Sequence, residues 1–139
     1  MNKKIPYGLH KLDDNDIQAV VDILRKGNIT QGQTVDDFGQ ALADYTGAKY
    51  GVAVSNGTAA LHVSMAALGI GSGDEVITAA NTAIPTISSI INAGAKPGLV
   101  DINKDDYLID TNKIEKEINS KTKAIIPVHF GGMPCDIEK

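Results

Sequence analysis

The four residues Ser55-Asn56-Gly57-Thr58 are the part of this 139-residue chain best suited to chemistry. They follow the strand-like Val52-Ala53-Val54 and lead into Ala59-Ala60-Leu61-His62, the opening of a helical stretch. A turn of this kind presents unpaired backbone N–H groups and the positive end of a helix dipole. Gly57 lets an anion approach the backbone, and the hydroxyls of Ser55 and Thr58 can add donors. A phosphate suits that chemistry. The alternative is that Ser55 or Asn56 only caps the helix, and spacing by itself leaves both readings open. The string has neither the Gly-Lys-Ser/Thr of a Walker A loop nor the glycine spacing of a dinucleotide fingerprint.

Other candidate groups are weaker. His62 lies on a helix and reads as packed or half-exposed, and His10 reads as solvated. His129 ends a strand at an edge where ligands bind, so it stays a candidate. Asp13-Asp14-Asp16 and Asp105-Asp106 read as cap and turn residues, without the oxygen-ligand spacing of a cation loop. Cys135 follows Pro134 in a loop, and nothing there activates a thiolate.

The elements that would position the turn can be read from periodicity. Residues 13–26 predict a helix, capped by the Asp13–Asp16 cluster, with Ile17, Val20, Val21 and Leu24 on one face and Gly27 closing it. Residues 28–34 read as a loop. Val35 to Thr46 predicts a second helix, with Val35, Phe38, Leu42 and Tyr45 on one side. From Tyr50 the pattern alternates. Strands are expected at 52–54, 75–78, 97–102 and 123–130, and helices at 58–68, 84–93 and 111–118. Such alternation predicts an α/β fold, a mostly parallel sheet in a three-layer sandwich, with ligands beyond the carboxyl ends of the strands.

Composition excludes several classes. Thirteen Lys+Arg against 17 Asp+Glu give a net charge of −4, and Arg25 is the one arginine, which argues against a nucleic-acid surface. Apolar runs such as Ala124–Val128 are far too short to span a bilayer. The N-terminal residues carry charge but no apolar stretch, so no secretory signal is expected. One cysteine excludes an internal disulfide and a multi-cysteine zinc site, and points to a reducing, cytoplasmic setting. Gly reaches 14 residues, about a tenth against the usual ~7%, while aromatics number two Phe and four Tyr.

The string Ala53-Val54-Ser55-Asn56-Gly57-Thr58-Ala59-Ala60-Leu61-His62 resembles the signature of the DegT-type sugar aminotransferases, which use pyridoxal phosphate. Four further segments fit in order. They are Thr30-Gln31-Gly32 with Val35 and Phe38, Gly71-Ser72-Gly73-Asp74-Glu75-Val76-Ile77, Asn92–Pro97 with Val100-Asp101-Ile102, and Thr122–His129 with Gly132 and Asp136. The resemblance covers essentially the whole chain. It implies the N-terminal part of a fold-type I large domain, with residues 1–48 as a helical segment and active-site loop and 49–139 as the first part of the cofactor-binding domain. It further implies Gly57, Thr58 and Ala59 as holders of the cofactor phosphate, and Thr30, Gln31 and Gly32 as a substrate-side loop. Ala83 falls where the family commonly places the aromatic residue that stacks on the pyridine ring, and an alanine has no stacking face. Asn81 or Thr82 is expected to cap the helix that follows.

The implied activity is transfer of an amino group, with glutamate the common donor, to a nucleotide-linked keto-sugar in a homodimer. Such chemistry needs a Schiff-base lysine and a carboxylate beside the ring nitrogen. No Lys or Asp of this chain matches the family motifs for either, and both are expected beyond Lys139. No catalytic residue and no metal is therefore assigned within the chain, which is expected to be inactive alone. A sugar dehydratase of the same fold, with histidine in place of the lysine, and a non-catalytic regulatory or interaction protein are the alternatives.

Overall fold

The computed structural model describes residue 6, residues 8–26 and residues 28–139. The N-terminal residues read for a leader, and Gly27 read as a helix stop, lie outside or largely outside that set. The chain divides into two compact units, Met1–Ala53 and Val54–Lys139.

The first unit carries α1 (Asp14–Lys26) and α2 (Gln33–Thr46). Asp13 caps α1 reciprocally. Its Oδ1 accepts from the N–H groups of Asn15 and Asp16 at 2.9 and 3.0 Å, while Asp16 Oδ2 accepts from Asp13 N–H at 3.0 Å. That is a capping box built from two aspartates. The apolar stripe of α1 follows helical spacing, yet Ile17, Val20 and Leu24 are all exposed. In α2 the buried residues are the small ones, Gly39 and Ala43, while Phe38 and Tyr45 face outward. The reason is close backbone approach. A Cβ on Gly39 would stand 2.6 Å from the Gly51 carbonyl oxygen, and one on Gly51 would stand 2.1 Å from that of Gly39.

The second unit is a three-layer α/β sandwich. Its strands are β1 (Glu75–Ala79), β2 (Lys96–Val100) and β3 (Thr122–Ile126), all parallel in the order β2-β1-β3. Central β1 is a continuous buried run, as a strand covered on both faces must be. Its side chains alternate. Val76 packs with Met65 of α3 (Gly57–Ala67), Ile90 of α4 (Ile84–Asn92) and Ile126. Ile77 and Ala79 pack on the other face with Val100, Leu108, Ile109 and Ile114 of α5 (Thr111–Glu117). Thr78, fully buried, donates its hydroxyl to the Ile126 carbonyl at 2.8 Å.

Three expectations need correction. Residues 52–54 form no strand: a strand exists only through its neighbour, and β1, β2 and β3 pair with one another and not with this segment. The strand expected to run to Phe130 stops at Ile126, because Pro127 has no N–H to continue the ladder. The strand expected to reach Ile102 stops at Val100, and Ile102 turns instead into an antiparallel bridge with Ile109. The turn between them holds Tyr107 at φ 62°, a left-handed conformation that costs a bulky residue about 1–3 kcal/mol.

Candidate functional site

The first turn of α3 stands where the sequence places it. Asn56 is the N-cap, with extended φ/ψ, and its side chain accepts the Ala59 N–H at 2.9 Å. Its amide nitrogen donates to Ser55 Oγ at 3.2 Å. Asn56 thus caps the helix, and the capping reading holds at that residue. Capping uses only one of the orphan donors. The N–H groups of Gly57 and Thr58 have no carbonyl one turn earlier within the helix. Nothing lies within 4 Å of where a Cβ on Gly57 would sit, so the approach to that backbone is open. The site fits a phosphate through Gly57 N–H, Thr58 N–H and the nearby hydroxyls. Ala59 differs from the other two, since its N–H is already engaged.

Ala83 is the N-cap of α4 and makes no side-chain cap hydrogen bond. The expectation that Asn81 or Thr82 caps this helix is therefore wrong. Pro85 stands in the first turn, where a missing N–H removes one of the orphan donors that a cap would serve. The Thr82 hydroxyl donates to Thr86 Oγ1 at 2.9 Å instead. Ala83 is exposed and offers no ring, as its side chain dictates.

The fold brings the first turn of α3 against the second turn of α4. Ser89, fully buried on α4, donates its hydroxyl to the Pro85 carbonyl at 2.6 Å, and that oxygen also stands 3.5 Å from the Thr58 carbonyl. That contact ties Thr58 to the second turn of α4, one turn beyond the end that Ala83 caps. Sequence reasoning missed Ser89; a serine on the apolar face of a helix was the available signal.

Thr30, Gln31 and Gly32 lie in the other unit, in the turn before α2. Gly32 is the N-cap at φ 146°, a backbone conformation that favours glycine, while the Asn28 amide that a Cβ there would meet at 2.9 Å can swing aside. Thr30 and Gln31 are exposed beside it, on a cleft that Asn28 and Val35 also line.

The remaining candidates separate. His62 is exposed on α3, which removes the packed reading. His129 accepts the Cys135 N–H on Nδ1 at 2.9 Å, and the buried Cys135 donates its S–H to the Val128 carbonyl at 3.2 Å. These two bonds close the turn that carries Phe130. Beyond the carboxyl end of β2, Lys113 joins Asp101 at 3.2 Å and Asp110 at 3.3 Å. The Ile102 N–H, and then Lys113, hold the Asp101 carboxyl below its ordinary range. Partial burial pushes Asp110 up, but bonds from Lys113 and Asn112 outweigh it and leave that carboxyl lowered too. The same two carboxylates raise Lys113. Among the described residues no helix is long and apolar enough to cross a membrane, and no three His, Cys, Asp or Glu side chains group to hold a metal.

The chain resembles known proteins over nearly its whole length. It is 42% identical over 137 residues to the spore coat polysaccharide biosynthesis protein SpsC of Bacillus subtilis, covering 99% of this chain and 35% of SpsC. The PMP-form of the sugar aminotransferase Spr1654 of Streptococcus pneumoniae superposes with a TM-score of 0.89 at 38% identity, over 96% of this chain and 34% of that one. An aminotransferase from Psychrobacter cryohalolentis gives 0.84 at 37%, over 92% and 33%. The chain thus spans about a third of the length of these relatives. Residues 10–139 match the family model of the DegT/DnrJ/EryC1/StrS aminotransferases, and the chain belongs to that family.

Proposed function

We propose that this chain supplies the phosphate-holding part of a pyridoxal-phosphate-dependent sugar aminotransferase. The observation that carries the proposal is the open first turn of α3, with Asn56 capping only the Ala59 N–H and nothing crowding Gly57. When bound, pyridoxal phosphate supplies the electron sink for amino transfer. The chain's own residues bind and orient it. Gly57 and Thr58 hold the phosphate through N–H groups and the helix dipole. Ala59 joins them where its N–H exchanges Asn56 for the phosphate. Ala83 bounds the ring side without stacking on it, and Thr30, Gln31 and Gly32 face the substrate.

The substrate is a nucleotide-linked keto-sugar and the donor an amino acid, glutamate first. Pyridoxal-phosphate forms of Spr1654 and the polysaccharide role in the name of SpsC support this reading. Residues 1–48 act as the helical and loop segment, and 49–139 as the first part of the cofactor domain. The working enzyme is a cytoplasmic homodimer, which the uncovered apolar faces of α1 and α2 support. No lysine of this chain is the Schiff-base residue; Lys113, near the carboxyl end of β2, is held by two carboxylates.

The test is a titration of the isotope-labelled chain with pyridoxal phosphate, followed by borohydride reduction and peptide mapping. Amide shifts concentrated at Gly57 and Thr58, with no single lysine labelled stoichiometrically, are expected. Stoichiometric labelling of one lysine, or shifts that avoid the start of α3, would overturn the assignment.

A further inference from the structure

A second cleft opens beyond the carboxyl ends of all three strands, and the phosphate chemistry leaves it unused. It has a volume of about 620 Å³ and is lined by Ala80 and Asn81 after β1, Asp101 and Ile102 after β2, Tyr107, and Phe130 after β3. It is shallow and broadly open to solvent, and it combines an apolar wall with a few placed polar groups, as small-molecule sites do. Open α/β sheets bind ligands in this position, where chain connections leave neighbouring strands in opposite directions. Here β1 feeds α4 on one face, while β2 feeds α5 on the other.

The wall is built, not incidental. Tyr107 is the one non-glycine among the described residues with a positive φ. Its backbone is bracketed on both sides: Tyr107 N–H donates to Asn103 O at 3.0 Å, Asn103 N–H to Leu108 O at 2.8 Å, and Leu108 N–H to Asp106 Oδ1 at 2.9 Å. Phe130 is presented by the turn that His129 and Cys135 close. The two rings stand 6.1 Å apart at 50°, yet each keeps about half its surface open, 54% for Tyr107 and 45% for Phe130. Strain persists at functional positions where the surroundings over-determine it.

The polar groups narrow the ligand. Asp101 repels an anion. Lys113 already occupies its Oδ2, so a cation would have to compete. A neutral ring with a C–H face and hydroxyls on its rim meets neither objection. Its C–H face suits the aromatic wall, and its hydroxyls can donate to the spare lone pairs of Asp101 and exchange bonds with the Asn81 amide.

We propose that the cleft walled by Tyr107 and Phe130, with Asn81 and Asp101 on its rim, seats the pyranose ring of the sugar substrate. The assignment rests on the aminotransferase reading above, and the two fail separately. UDP-glucose is the probe, followed by saturation-transfer NMR on the wild-type chain, Tyr107→Asn and Phe130→Leu. Asn tolerates the left-handed backbone, and Leu keeps apolar bulk at Phe130. The pyranose protons are expected to receive more saturation than the uridine protons, and each variant to bind about tenfold more weakly. Pyridoxal-phosphate shifts at Gly57 and Thr58 should be unchanged in both. No pyranose saturation in the wild type, or undiminished pyranose binding in either folded variant, would overturn the proposal. Pyranose binding lost in the variants, with no cofactor response at Gly57 or Thr58 in any chain, would uphold the cleft and sink the phosphate assignment instead.

Discussion

Replacing Asn56 by alanine asks whether Ala59 belongs to the phosphate cradle. In the free chain Asn56 Oδ1 takes the Ala59 N–H at 2.9 Å, and removing an N-cap of this kind costs about 1 kcal/mol. Urea unfolding followed by circular dichroism, the natural probe for a chain without tryptophan, should show that loss. Two outcomes then separate in the bound state. If the phosphate itself takes the Ala59 N–H, the cap is already displaced in the wild-type complex, and the variant has nothing more to lose there. Its affinity for pyridoxal phosphate then rises by the whole cap energy, about 1 kcal/mol or roughly fivefold in Kd by calorimetry. If Asn56 keeps its bond, free and bound states lose equally and Kd does not move. The proposed exchange at Ala59 requires the fivefold gain. A variant whose stability is unchanged, or whose affinity falls, would refute the reasoning at its root.

Three further outcomes are expected. Ile77→Ala empties a fully buried site at the centre of the sheet and should cost 2–5 kcal/mol, with a loss below about 1 kcal/mol ruling out the described core. Gly39→Ala drives a Cβ onto the Gly51 carbonyl and should destabilise the first unit by about 1–3 kcal/mol, seen as faster amide exchange in α2; unchanged exchange would deny the contact. Asp101 and Asp110 have lowered pKa values, so their contribution is present above the ordinary carboxylate range and fades as pH falls through the lowered values. Lys113 is raised, so its share is intact below the ordinary lysine value and fades as pH climbs through the raised one. Lys113→Met should flatten both limbs of the stability profile, the acid limb most clearly at low salt, and an identical profile would dismiss the network.

The helices were legible because their signals are local. The start of α1 follows from the capping carboxylates of Asp13–Asp16, and the start of α3 from a cap at Ser55 or Asn56, while the Asp110 cap of α5 went unread. The strands were less so, for a physical reason. Val52-Ala53-Val54 has the β-branched character of a strand, but a ladder is a property of two segments, and no local pattern shows a missing partner. Pro127 was a legible stop that outweighs the β-branched run before it. The start of α3, where the phosphate is proposed to sit, could be read around Gly57 and Thr58 because a helix start is a local object. The meeting of Tyr107 with Phe130 could not, since 23 residues separate them and a strained turn brings the ring into place.

The two outer edges of the sheet are not equivalent. Lys96 N–H donates inward to Asp74 O, and the Val100 carbonyl accepts inward from Ala80, so Pro97 and Leu99 face away from β1. Proline has no donor, which leaves Leu99 as the one outward N–H that β2 offers an added strand. β3, Thr122-Lys123-Ala124-Ile125-Ile126, contains no proline and keeps all its donors. Pro97 thus makes the β2 edge of this sheet a poorer template for an added strand than a proline-free edge of the same length.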